Sequence, residues 1–162
     1  MTTRVDYDAR RAELRRKYLT PNPPPTTARG VHHLAMICSN IEQTIEFYTQ
    51  VLGFPLTQLF QNRDLPSSTH FFFDIGNGNF LAFFDFPELG LGPTQEALGA
   101  MHHVAISVYE DQFDAIRQRV QDRGIDIFQH GTSIYFRDPD GALIEISSRP
   151  LREMGAGEHR KH

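Results

Sequence analysis

Val31-His32-His33-Leu34-Ala35-Met36-Ile37 and Met101-His102-His103-Val104-Ala105-Ile106-Ser107 are one pattern written twice, seventy residues apart. Each places a double histidine at the head of an alternating apolar run. Imidazole nitrogens bind divalent first-row metals and move protons near neutral pH, so a repeated histidine pair is a candidate for either chemistry. A repeat of this length also bounds the architecture to two copies of one supersecondary unit.

A third residue belongs with them. Side chains alternate along a strand, so His32, Leu34, Met36 and Cys38 oppose His33, Ala35 and Ile37. In the twin, His102, Val104, Ile106 and Val108 oppose His103, Ala105 and Ser107. The bulkier set is expected to face a helix, which leaves His33 and His103 on the concave side. Near the C-terminus Leu143, Glu145 and Ser147 alternate with Ala142, Ile144 and Ile146. A carboxylate flanked by isoleucines is costly unless it is paired, hydrogen-bonded or metal-bound. Two histidines and one carboxylate suit Fe(II), Mn(II), Co(II), Ni(II) or Zn(II), with positions left open for water or substrate. His159 and His162 belong to a polar tail and are expected to be solvated.

The elements that must position these residues follow the same order in both copies. The first has a strand over 31–38, a helix over 41–52 capped by Ser39 or Asn40 and ended by Gly53, then strands 54–61, 69–75 and 79–86. Gly76-Asn77-Gly78 supplies a hairpin turn. The second has strand 101–108, helix 110–123 with Phe113, Ile116 and Val120 on one face, and strands 125–129, 132–137 and 141–148. Asp138-Pro139-Asp140-Gly141 reads as its tight turn. Each unit is β-α-β-β-β, so the expected fold is α+β, one domain over 30–150 with modules 30–86 and 101–148. Residues 1–29 read as a leader, a short charged helix over 6–19 followed by a proline-rich linker, and 151–162 as the tail.

Composition narrows the partners. Net charge is −4 with an isoelectric point near 6.0, which offers no basic footprint for nucleic acid. There is no apolar run of about 20 residues for a membrane span, and Met1–Thr20 lacks a signal peptide's apolar stretch. The single cysteine, Cys38, excludes an internal disulfide and suits a reducing cytoplasm, the expected location.

Residues 30–148 resemble the vicinal oxygen chelate superfamily. It includes glyoxalase I, fosfomycin-resistance transferases, methylmalonyl-CoA epimerase, bleomycin-binding proteins and extradiol dioxygenases. The segments that carry the resemblance are His33-Leu-Ala-Met, Phe47-Tyr48, Leu52-Gly53 and Phe136-Arg-Asp-Pro-Asp-Gly-Ala-Leu-Ile-Glu145. It implies paired βαβββ modules curving around a divalent metal that chelates two neighbouring substrate oxygens, with His33, His103 and Glu145 at the ligand positions. It also implies a homodimer, with the site lying within one chain or shared across two. Aligning Gly78 with Gly141 sets Ala82 opposite Glu145, where glyoxalase I carries a fourth ligand. Three ligands resemble the dioxygenases and the fosfomycin enzymes better.

The same resemblance implies roles for two more residues. Tyr135, ten residues before Glu145, fits the later half of the extradiol signature, where a tyrosine hydrogen-bonds substrate or oxygen intermediate. The earlier half is not met, since His130 stands only five residues before Tyr135. His70 lies roughly where those enzymes keep an acid/base histidine. The leading expectation is an extradiol-type dioxygenase for a small, catechol-like vicinal diol, using Fe(II) in preference to Mn, Zn, Ni or Co. A glyoxalase-like lyase or isomerase or a thiol transferase is the alternative. A drug- or toxin-sequestering binding protein is the third.

Overall fold

Both histidine-led runs become strands, and the core lies where their bulkier side chains point. The structure, a computed structural model, describes residues 6–153. The described residues divide into two units, 6–30 and 31–153. The first contains helix α1 (Tyr7–Tyr18), capped by Asp6, whose carboxylate accepts from the amides of Asp8 and Ala9. None of its residues is buried. Most of the expected tail, with His159 and His162, lies outside the described residues.

The second unit carries both repeats. β1 (His33–Cys38) leads to α2 (Ile41–Glu46), a π-helical turn over Phe47–Val51, then β2 (Leu56–Gln61), β3 (Thr69–Asp74) and β4 (Phe80–Asp85). β5 (Val104–Ser107) leads to α3 (Glu110–Asp122), β6 (Phe128–His130), β7 (Ser133–Arg137) and β8 (Leu143–Ser147). The strands close two mixed four-stranded sheets, ordered β1-β4-β3-β2 and β5-β8-β7-β6. The pairings β1·β4 and β5·β8 are parallel and the others antiparallel. This is the α+β, twice-written βαβββ architecture.

Local chemistry explains the boundaries. Asn40, rather than Ser39, caps α2, accepting from the Gln43 amide at 2.9 Å. The expected single helix over 41–52 instead changes pitch at Phe47, and the Leu52 amide reaches back to the Phe47 carbonyl. Gly53, at φ +79°, ends it with the backbone conformation that a side chain disfavours.

Parity holds in both leading strands. Leu34, Met36 and Cys38 pack on the core while His33, Ala35 and Ile37 are exposed. Tyr48, Phe71, Phe73 and Phe83 are fully buried, and Tyr48 stacks on Phe73 at 5.1 Å. Each such burial contributes roughly 1.5–3 kcal/mol. The two modules share this core and are joined by polar contacts. Tyr48 donates its hydroxyl to Asp138 at 3.1 Å, the Ser39 amide to Asp140 at 3.1 Å, and the Arg119 guanidinium to the Val51 carbonyl at 2.7 Å. Among the described residues no helix is long and apolar enough to cross a membrane.

Candidate metal centre

The register of the second sheet places its donors. Glu145 on β8 lies opposite Ala105 on β5 and Tyr135 on β7. His103, immediately before β5, sets its Nε2 3.0 Å from Glu145 Oε2, and their side chains are 33% and 14% exposed. Ile144 and Ile146 on either side of Glu145 point into the core, as parity predicts. The His103 ring meets Tyr135 edge-on, centroids 6.0 Å apart. Burial raises the pKa of Tyr135, and the hydrogen bond to Glu145 and its charge raise it further, so the phenol stays protonated at neutral pH. A cavity of about 800 Å³ opens here, lined by His103, Ile125, Ile127, Phe128, Tyr135 and Leu143 among others.

The first sheet repeats the frame with different side chains. Ala82 lies opposite Ala35 and Phe72, so it holds the position of Glu145, and it is fully buried. His33 meets Phe72 edge-on at 5.8 Å, as His103 meets Tyr135. His70 lies nearby on β3, stacked on Phe84 with centroids 3.7 Å apart and flanked by Phe72 and Phe60. Its Nε2 is buried without a hydrogen-bond partner. Burial lowers the His70 pKa and the charge of His33 lowers it further, which favours the neutral ring.

The structure therefore brings His103, Glu145 and Tyr135 together on one sheet and His33 and His70 near each other on the other. Among the described residues, no three His, Cys, Asp or Glu side chains are placed to hold one ion. The expected donors divide as two and one. By type they fit a divalent metal: imidazole nitrogen and a largely buried carboxylate oxygen already face each other. Sequence reasoning missed His32 and His102, which it grouped with the core-facing set. Each places its Nδ1 within 2.8 Å of the Nδ1 of the histidine that follows. The doubling itself was the available signal.

Residues 30–146 match the family model described as the Glyoxalase/Bleomycin resistance protein/Dioxygenase superfamily. The chain belongs to this superfamily. Its vicinal oxygen chelate fold is shared with enzymes of several names. The metallothiol transferase FosB of Shouchella clausii is 33% identical over 133 residues, covering 76% of this chain and 83% of that protein. The putative ring-cleaving dioxygenase MhqE of Bacillus subtilis is 29% identical over 101 residues, 60% of this chain but 33% of the relative. A solved structure of a mutant of the fosfomycin resistance protein FosX from Listeria monocytogenes, complexed with Mn(II) and 1S,2S-dihydroxypropylphosphonic acid, superposes with a TM-score of 0.58. It is 21% identical, over 76% of this chain and 94% of that one.

Proposed function

We propose that the protein is a metal-dependent enzyme of the extradiol dioxygenase type, acting on a small aromatic substrate with two neighbouring hydroxyls. The observation that carries this reading is the His103–Glu145 pair, 3.0 Å apart, beside a half-buried tyrosine in a largely apolar cavity. His103, Glu145 and His33 would hold the ion, Fe(II) first, with Mn, Zn, Ni or Co as alternatives. When bound, such an ion supplies Lewis acidity toward two adjacent substrate oxygens and, as Fe(II), electrons for oxygen chemistry.

The chain's own residues supply the rest. The His70 imidazole, kept neutral, takes a proton from a substrate hydroxyl. The Tyr135 hydroxyl, kept protonated, donates a hydrogen bond to developing negative charge. Phe72, Phe84 and Phe60 around His70 and Phe128 beside Tyr135 offer faces for a planar ring and exclude water. Among the described residues lining the cavity, Arg137 is the one guanidinium, and it already donates to the Gly141 carbonyl at 2.6 Å. That lining suits an aromatic diol better than a small dianion.

His33 reaches this set from a second copy of the chain. The division of donors between two sheets supports a homodimer in which each site takes His33 and His70 from one protomer and His103, Tyr135 and Glu145 from the other. Exposed Ile37 and Phe60 on the His33 sheet are apolar area for that contact.

Thiol transfer is the second reading, favoured by the FosB relative's 33% identity over most of its length. It needs no oxygen and consumes a thiol. Elemental analysis of anaerobically purified protein, beside His103→Ala, separates the readings. About one equivalent of iron per protomer, lost in the variant, with O₂ uptake on catechols, supports ring cleavage. Manganese or zinc with oxygen-independent thiol addition supports transfer. No specific metal after reconstitution overturns both and leaves a sequestering protein.

A further inference from the structure

The first histidine of each pair takes no part in the chemistry above, yet both halves hold it the same way. His102 Nδ1 lies 2.7 Å from His103 Nδ1, and His32 Nδ1 lies 2.8 Å from His33 Nδ1. The rings meet edge-on in both pairs, centroids 5.0 and 5.1 Å apart at 79° and 76°. Residues in sequence normally point to opposite faces of a strand. These rings meet at the mouth of each strand, where His32 directly precedes β1 and His102 and His103 precede β5.

A histidine that binds a metal through one nitrogen needs the other fixed, since that hydrogen bond sets tautomer and ring orientation. A carboxylate or carbonyl is the common partner. Here it is a second imidazole, in both modules. We infer that His102 and His32 are positioning residues for His103 and His33. Their Nδ1 lone pairs receive the ligand's Nδ1–H, which leaves the ligand's Nε2 bare for the ion. The inference rests on the metal reading above.

Glu145 gives the second pair two states. In the tautomer whose His103 Nε2–H points to Glu145 Oε2, 3.0 Å away, His103 Nδ1 is an acceptor and His102 Nδ1 the donor. With Nε2 bound to an ion, His103 carries its proton on Nδ1 and His102 Nδ1 accepts it. The proton between the two Nδ1 atoms changes owner. One proton leaves His103 Nε2 and one joins Nε2 of the exposed His102, so the pair's charge is unchanged. Loading is thus recorded in the tautomer of a residue that does not touch the ion.

The test is Mn(II) affinity by electron paramagnetic resonance, together with histidine tautomers by ¹⁵N NMR with and without Zn(II). Wild type is compared with His102→Asn, His102→Gln, His32→Asn, His32→Gln and His103→Ala. Asparagine places an amide oxygen near the Nδ1 position, whereas glutamine places it near Nε2. The asparagine variants should bind within about threefold of wild type and the glutamine variants about 10- to 100-fold more weakly, at unchanged melting temperature. Zn(II) should move the His102 proton from Nδ1 to Nε2. Glutamine variants that bind as wild type does, or a His102 tautomer unmoved by Zn(II) that His103→Ala fails to bind, would overturn the inference and leave the metal reading intact. His103→Ala binding as tightly as wild type overturns the metal reading, and this inference with it.

Discussion

Glu145 and Ala82 hold the same place in two copies of one sheet, each opposite the alanine that lies two residues beyond the second histidine of its pair. The duplicated frame therefore carries a carboxylate in one half and a methyl group in the other. Glu145→Gln keeps the shape and removes the charge. We expect metal affinity to fall at least about 100-fold, the upper end of what losing a supporting group alone costs, with little change in melting temperature. Ala82→Glu puts an unpaired carboxylate into a fully buried site and should destabilise the fold by roughly 2–4 kcal/mol in urea titrations. Equal tolerance at both positions would contradict the assignment of Glu145 as a ligand.

A site divided between copies makes a complementation experiment decisive. His33→Ala and Glu145→Ala homodimers should each lack activity. Mixed one to one and allowed to exchange subunits, half the dimers are mixed and each has one intact site of two. About a quarter of wild-type metal binding and turnover should then return. Recovery of nothing after verified exchange would place His33 and Glu145 within one protomer's site.

Asp138 predicts a pH dependence away from the metal residues. Its buried carboxylate accepts from Tyr48 Oη at 3.1 Å, the Ala142 amide at 2.8 Å and the Asp140 amide at 3.0 Å. Burial nonetheless raises its pKa above the ordinary 3.8, outweighing these donors, and the charge of Asp140 adds to the rise. A native acid that holds its proton more tightly than the unfolded chain contributes stability while protonated. That contribution is full below the unfolded value and is lost as pH rises through the raised native one. Urea denaturation should find wild type losing stability relative to Asp138→Asn as pH rises from about 4, until the native carboxyl has ionised. Tyr48→Phe should cost about 1–3 kcal/mol at neutral pH, because the ionised acceptor loses a donor.

Cys38 should be chemically silent in the folded protein. It is 2% exposed, and burial pushes its thiol up to about 11. At pH 8 only about one thiol in a thousand is ionised, so alkylation by iodoacetamide should be slow until the chain unfolds. Rapid labelling of native protein would mean that β1 opens readily from the core.

Much of this was legible from residue types alone. Alternation gave the faces of both leading strands, and glycines marked the turns, because those signals depend only on neighbouring residues. The equivalence of Ala82 and Glu145 followed from aligning two turns, and the strand register agrees. Three things were not legible. The pitch change at Phe47 answers to packing of Phe47, Tyr48 and Val51 across modules, contacts as distant in sequence as Asp138. Asp138 read as turn chemistry, while its partner Tyr48 lies ninety residues away. Parity sets His32 and His102 on the core face, yet both precede the first residue of their strands and are exposed.

The π-helical turn at Phe47–Val51 also fixes the length of the chain at that point. Its extra residue sets Leu52, Gly53 and Phe54 about 100° around the axis from where a regular helix would leave them. In that setting Leu52 and Phe54 are buried and the one left-handed position falls on glycine. Removing a single residue there would restore regular hydrogen bonding and turn both side chains away from the core. Natural variants of this sequence should therefore differ in length through the loops at 62–68 and 87–100, and keep the count between Asn40 and Gly53 constant.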